Sequence, residues 1–264
     1  MWINHKLAFS QNRSIGDEPS KIVLNQILNQ IAEANSKGIR SLAIFDIDST
    51  LIDTSHRTSA IFKEFSRQIA HRKTWPDLCT QIDLWNVVTE VYDPIDFINA
   101  HAGHSLDRDS EVGKYILKFW KDRFFDEHWL VHDLPFAGGK EFIHDCLQAG
   151  AHIAYLTGRE KQTAQHGTQK WLATHHFPLL SDRVQTRLLL KDHRHIRDCD
   201  YKNQGLSLLK SGYELVWFFE NEVELVLMAI SQHSEINTIL FNSVHSGRAQ
   251  LGDASPPMIE SWLR

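Results

Sequence analysis

The sequence predicts an α/β fold, a parallel sheet covered by helices on both faces, with a helical block inserted after its first strand. Three observations predict it. Short apolar runs, too brief for helices, alternate with stretches of helical periodicity, which is the pattern of βαβ crossovers. Three of those runs stop abruptly in a polar cluster, and open parallel sheets bind ligands outside the carboxyl ends of their strands. Between residues 54 and 133 the pattern becomes wholly helical, with no clear strand.

The elements follow in order. Lys21 to Lys37 sets Val23, Ile27, Leu28 and Ile31 on one helical face, and Gly38 stands at the stop position. Ser41 to Phe45 (SLAIF) reads as a buried strand ending in Asp46-Ile47-Asp48-Ser49-Thr50. In the inserted block, His56 to Arg72 carries Ile61, Phe62, Phe65 and Ile69 at helical spacing, and Asp109 to Phe125 carries Val112, Tyr115, Ile116, Phe119 and Trp120. Trp75, Trp85, Trp120 and Trp129 are expected to form the block's own core. A helix at Gly139 to Gln148 feeds a strand at Ala151 to Leu156, which ends in Thr157-Gly158-Arg159. Further strands are expected at Val184 to Leu190, at Glu214 to Phe219 ending in Glu220-Asn221-Glu222, and at Ile236 to Phe241. Ser243 to Arg264, with Gly, Ser and Pro256-Pro257, reads as a tail.

The chain has 264 residues, enough for one large domain or a domain with a sizeable insertion. The boundaries expected are a core of 1–53 and 134–264 and a helical block of 54–133. With 42% apolar and 23% charged residues the composition excludes disorder, collagen and a coiled-coil rod. A net charge of −5 offers no basic field for nucleic acid. The first twenty residues hold no apolar run of a secretory leader, and no stretch is long and apolar enough for a bilayer, so neither nucleic acid nor membrane is an expected partner. Three cysteines far apart, Cys79, Cys146 and Cys199, argue for a reducing compartment, and the expected location is cytoplasmic. The 16 histidines match no zinc spacing (His101/His104, His175/His176, His193/His195) and are expected on solvated loops and helix faces.

Asp46 and Asp48 flank one residue at a strand end. Two carboxylates so close resist joint ionisation unless a cation or positive side chains lie beside them. A divalent metal on oxygen ligands supplies that charge, as do Lys202 and Arg159 if the fold brings them in. An isolated Asp-x-Asp is most simply a solvated turn. Here it is followed, in order, by strand-Thr157-Gly158-Arg159, Lys202 in DYKNQG, and strand-Glu220-x-Glu222.

That ordered set resembles the four motifs of the haloacid dehalogenase superfamily, over about Ser41 to Phe241. The resemblance implies a three-layered Rossmann-like sheet with the helical block as a cap. It implies Asp46 as the nucleophile toward phosphorus, Asp48 as general acid and base, Thr157 and Gly158 at a phosphoryl oxygen, and Lys202 neutralising charge. It also implies Mg²⁺ held by Asp46, by the backbone carbonyl of Asp48 and by a fourth-motif acid. Asp48, which dehalogenating members lack, points to phosphoryl transfer. The sequence departs from the family at Glu220-Asn221-Glu222-Val223-Glu224, where aspartates are usual. Glu220 is the expected metal ligand, and Glu222 and Glu224 are read as first-turn helix acids. Arg159 either reaches substrate or salt-bridges to the cap. The basic run Arg183, Arg187, Lys191, Arg194 and Arg197 is read as a solvated strand edge.

The implied activity is a Mg²⁺-dependent phosphatase releasing phosphate from a small phosphomonoester through an aspartyl-phosphate. Two alternatives remain, a phosphomutase or phosphotransferase with an alcohol as acceptor, and a catalytically weak binding protein that keeps the fold. Substrate identity and oligomeric state are not legible.

Overall fold

The computed structural model describes residues 17–85, 90–103, 105–179, 186–193 and 195–264. The chain begins with α1 (Asp17–Ser36) and β1 (Ser41–Phe45), then β2 (Ile52–Asp53). The inserted helices are α2 (Ser55–Arg67), α3 (Ile69–Thr74), α4 (Pro76–Asp83), α5 (Pro94–Ala102) and α6 (Glu111–Phe124), closed by a 3-10 turn at Glu127–His132 and by β3 (Leu134–Pro135). There follow α7 (Gly139–Ala149), β4 (Ala151–Glu160), α8 (Lys161–Thr174), β5 (Thr186–Lys191), α9 (Asp198–Leu209), β6 (Leu215–Glu220), α10 (Val223–Gln232), β7 (Ile236–Phe241) and β8 (Met258–Ile259).

Six of these strands form a parallel sheet in the order β5-β4-β1-β6-β7-β8. Alternation along each strand divides the side chains between two layers. Ala43 and Phe45 of β1, Ile153 and Tyr155 of β4, and Trp217 and Phe219 of β6 face α1, α7 and α8. Leu42, Ile44, Ala154, Leu156, Val216 and Phe218 face α9 and α10. Chain order reverses direction about β1, with β4 on one side and β6 on the other, so the crevice beyond its carboxyl end is a topological switch point.

The insertion leaves and returns through a two-stranded stem, with Ile52 opposite Pro135 and Asp53 opposite Leu134. Its helices bury a separate cluster that includes Ile61, Phe62, Phe65, Trp85, Phe97 and Ile116, with Trp75, Trp120 and Trp129 packed partly buried against it. The helix expected over His56 to Arg72 is broken. Gln68 is extended (ψ 126°), and the His71 Nδ1–H donates to the Phe65 carbonyl at 2.9 Å, ending α2 and starting α3. His71 and His233 are buried, which corrects the placement of histidines on solvated faces.

Two further expectations are revised. The strand predicted at Ala151 to Leu156 continues to Glu160, so Thr157-Gly158-Arg159 lies within β4, past a register irregularity between Leu156 and Glu160. The stretch expected to be a tail enters the core at its end, through Ile259 and Trp262. β8 adds to the sheet beside β7, and Trp262, 1% exposed, stacks on Phe241 at 5.2 Å. Arg183, Val184, Arg194, His104 and most of the first twenty residues lie outside the described residues. Among the described residues no helix is long and apolar enough to cross a membrane.

Candidate active site

The site starts from the turn after β1. The Asp46 N–H still follows the sheet, donating to the Phe219 carbonyl at 3.0 Å. The chain then folds back on itself, with the Leu51 and Ile52 N–H groups donating to Ile47 O at 2.9 and 3.1 Å. Ser49 takes φ +57° to make that possible. Ile47 anchors the turn in the core, which leaves Asp46 and Asp48 on the crevice side.

Asp46 is 5% exposed, and its Oδ1 accepts from Lys202 Nζ at 2.5 Å. Lys202 comes from α9, and its ammonium also donates to Glu220 at the end of β6. Burial alone would pull Lys202 down, but Asp46 and Glu220 outweigh it and hold the ammonium above the usual lysine range. Two buried carboxylates thus share one cation. Burial, with the charge of Asp46 added and Lys202 opposing, pushes Glu220 up to about 8. Burial, opposed by Lys202 and reinforced by Asp48, also raises Asp46.

Asp48 is held differently. Arg159 grips it through Nε to Oδ2 at 2.8 Å and Nη2 to Oδ1 at 2.7 Å, and Arg57 adds Nη2 to Oδ1 at 2.6 Å. Burial works against the charge, yet the two guanidinium groups hold the Asp48 carboxyl well below the usual carboxylate range. Asp133, fully buried at the end of the insertion, accepts from Arg57 Nε at 2.7 Å and Arg159 Nη2 at 3.0 Å. Arg159 Nη1 also donates to Thr168 Oγ1 at 3.1 Å, so four of its five N–H groups serve protein acceptors. Arg57, Asp133 and Thr168 are absent from the sequence-derived set. Arg57 and Asp133 could have been sought as the charged residues just inside the two junctions of the helical block.

Thr157 is buried in β4, its Oγ1 accepting from the Arg159 N–H at 3.3 Å. A Cβ on Gly158 would come within 2.6 Å of Asp198 Oδ1, so the glycine leaves room for that carboxylate at the start of α9. In the fourth motif, Glu220 Oε1 accepts from the Asn221 and Glu222 N–H groups, both at 2.9 Å, while Oε2 takes Lys202. Glu222 turns away and accepts from Ser246 N–H and Oγ at 2.9 and 2.6 Å. Glu224 lies 3.8 Å from Arg197. Asn221, which sequence reasoning passed over between its acidic neighbours, places Oδ1 3.1 Å from Thr50 Oγ1, and Thr50 Oγ1 is 3.1 Å from Asp46 Oδ2. One hydroxyl proton serves only one of these two oxygens at a time.

The donor set suits a hard cation. Asp46 Oδ2 and Asn221 Oδ1 share one donor, and Asp46 and Glu220, when both are ionised, carry one more negative charge than Lys202 balances. Among the described residues no three His, Cys, Asp or Glu side chains converge as a preformed cage. Mg²⁺ needs none, since it takes one or two carboxylates and keeps several waters. From the insertion, Glu90 comes against Asp53 and Ser49. Burial and the Asp53 charge push Glu90 up to about 7, and its buried Oε1 accepts no hydrogen bond.

No family model and no curated protein matches the chain. Solved structures do. A candidate phosphatase of Clostridium difficile aligns at 12% identity over 84% of this chain and 95% of its own, with a TM-score of 0.54. A haloacid dehalogenase-like hydrolase of Streptococcus pneumoniae aligns at 14% identity over 86% and 96%, with a TM-score of 0.52. Protein Tyrosine Kinase A of Mycobacterium tuberculosis aligns at 17% identity over 84% and 94%, with a TM-score of 0.54. At such identities the shared property is the fold. The doubly covered parallel sheet, the order of the four motifs and these structural neighbours agree that the chain has the fold of the haloacid dehalogenase-like hydrolases.

Proposed function

We propose that the protein is a Mg²⁺-dependent phosphatase acting on a small phosphomonoester through an aspartyl-phosphate. The observation that carries this reading is the buried Asp46–Lys202 pair at 2.5 Å beyond β1, with Asp48 two residues on. One Asp46 carboxylate oxygen attacks phosphorus and the bond from phosphorus to the ester oxygen breaks; Asp48, ionised beside Arg57 and Arg159 in the free protein, first takes the proton of the phosphomonoester monoanion and passes it to the departing oxygen. Asp48 then removes a proton from water, whose oxygen attacks the same phosphorus, releasing phosphate and the Asp46 carboxylate. Lys202 balances charge on the nucleophile and the phosphoryl group, and the Thr157 hydroxyl and Gly158 backbone of β4 would meet a phosphoryl oxygen.

Mg²⁺, when bound, neutralises phosphoryl charge. Asp46 and the Asp48 carbonyl would hold it, with Asn221 Oδ1 as the fourth-motif oxygen and Glu220 supplying charge through Lys202. The engagement of Glu220 with Lys202 and two backbone amides supports this choice over direct ligation by Glu220. Residues 54–133 act as a cap. The near-complete burial of Asp46 supports a small substrate. Free thiols at Cys79, Cys146 and Cys199 suit a cytoplasmic location.

The deciding experiment is a screen of phosphorylated metabolites and an aryl phosphate, with and without Mg²⁺, for wild type and Asp46→Asn. Mg²⁺-dependent phosphate release lost in the variant supports the reading, and release unaffected by the substitution ends it. A phosphotransferase is the second reading, favoured by the kinase among the structural neighbours. Phosphate appearing on an added alcohol rather than in solution would select it.

A further inference from the structure

Arg57 lies on the first helix of the insertion, outside all four motifs. It nevertheless reaches Asp48 Oδ1 at 2.6 Å, Asp133 Oδ1 at 2.7 Å and the Phe124 carbonyl at 2.8 Å, with its guanidinium 4.1 Å above the Phe124 ring. Asp133, immediately before β3, accepts from Arg57 on one oxygen and Arg159 on the other. The four side chains form a charge-balanced quartet that draws on the nucleophile turn, the outgoing helix, the returning connection and β4. Ion pairs removed from water in this way are geometrically demanding, because each unpaired charge would be costly.

Exposure is uneven within the quartet. The side chains of Arg57, Arg159 and Asp133 are 2%, 4% and 0% exposed, whereas that of Asp48 is 29% exposed. The one accessible part is therefore the Asp48 carboxylate. Arg159, itself tied to Thr168 and Asp133, holds Asp48 by a single two-pronged grip from one side. Arg57 adds a third N–H from a different body and fixes the plane of the carboxylate.

We infer that Arg57 is a positioning residue for Asp48, acting with Asp133 so that the orientation of the acid is set by the position of the insertion. The inference rests on Asp48 being the proton carrier, and its test separates the two. 4-Nitrophenyl phosphate expels a leaving group that needs no proton, whereas glycerol phosphate expels an alkoxide that does. kcat/KM reports the first displacement for both. Arg57→Lys keeps the charge but not the fork. It should lower kcat/KM for glycerol phosphate by about 10²-fold and for the aryl ester by no more than about threefold.

Asp48→Asn should show the same selectivity, and added guanidinium should restore glycerol phosphate turnover to Arg57→Ala. Asp133→Asn, close in shape, repeats the test if the Arg57 variants do not fold. If Asp48→Asn does not discriminate between the substrates, Asp48 is not the proton carrier and the inference falls with that reading. If Asp48→Asn discriminates while Arg57→Lys slows both substrates equally, slows neither or accelerates the alkyl ester, the positioning role is overturned and the proposed function stands.

Discussion

The indole N–H of Trp262 donates to the backbone carbonyl of Thr50 at 2.8 Å, joining the last strand region to the turn that carries Asp46 and Asp48. The ring fills the same core as Phe45, Phe142 and Phe219. Trp262→Ala should cost about 3–5 kcal/mol, the range for truncating a large buried aromatic. Trp262→Phe keeps most of the packing but leaves the Thr50 carbonyl without its donor, costing about 1–3 kcal/mol. Urea unfolding of the three proteins checks both, and equal stability of wild type and Trp262→Phe would mean the bond contributes nothing.

Asp46→Asn should reduce turnover by about 10³-fold or more, since an amide is no nucleophile toward phosphorus and loss of a nucleophile is among the largest single effects known. The fold should survive, because Lys202 retains Glu220 as its anionic partner. Phosphate release and circular dichroism on the same sample test the pair of statements. Activity retained within tenfold would remove Asp46 from the role.

Glu90 gives a pH dependence with a definite sign. Burial and the neighbouring Asp53 raise it from 4.5 to about 7. A carboxyl raised on folding binds its proton more tightly in the folded state. Its contribution is therefore fully present below about 4.5 and is lost as pH rises toward and through about 7. Glu90→Gln removes this loss. Thermal midpoints of wild type and variant should separate progressively between these two values, with the variant the more stable at the upper end. A difference that stays constant with pH would show that Glu90 titrates normally.

How far the sequence carried differs between the sheet and the site. Strand ends were legible because β1, β6 and β7 are short apolar runs whose polar stops are local features. The same logic brought Asp46 and Glu220 to one crevice, whereas Lys202, on α9, was expected there only from the resemblance. The role of residues 258–264 was not legible. Met258, Ile259 and Trp262 show no periodicity, and Gly and Pro precede them, so only the open edge of β7 defines their place. Arg57 and Asp133 escaped notice for another reason. An arginine in the first turns of an amphipathic helix is ordinarily solvated, and its partner stands 76 positions away. Asn221 was overlooked because a neutral amide between glutamates seems the least suited ligand, whereas the turn after β6 commits both neighbouring acids to other donors.

That commitment yields the last prediction. Glu220 meets two amides and an ammonium, Glu222 holds the Ser246 turn, and Glu224 lies beside Arg197. Asn221 reaches Asp46 Oδ2 through the neutral Thr50 hydroxyl, whereas Glu220 meets Asp46 only across the Lys202 ammonium. The other end of Asn221 is fixed, since Nδ2 donates to the Val244 carbonyl at 2.6 Å. Mg²⁺ affinity, measured by titration calorimetry on substrate-free protein, should therefore fall most for Asp46→Asn and Asn221→Ala. Glu220→Gln should weaken it less, by removing a nearby negative charge while keeping the shape. Glu222→Ala and Glu224→Ala should leave it close to wild type. Asn221→Asp adds a formal charge at the same place and should tighten binding by about tenfold, equivalent to roughly 1.4 kcal/mol. If Glu220→Gln weakens binding more than Asn221→Ala does, Glu220 is the ligand and Lys202 must give way when the metal enters. If none of the six substitutions changes affinity, the cation site is not here, and the binding-protein reading of the fold gains over the enzyme.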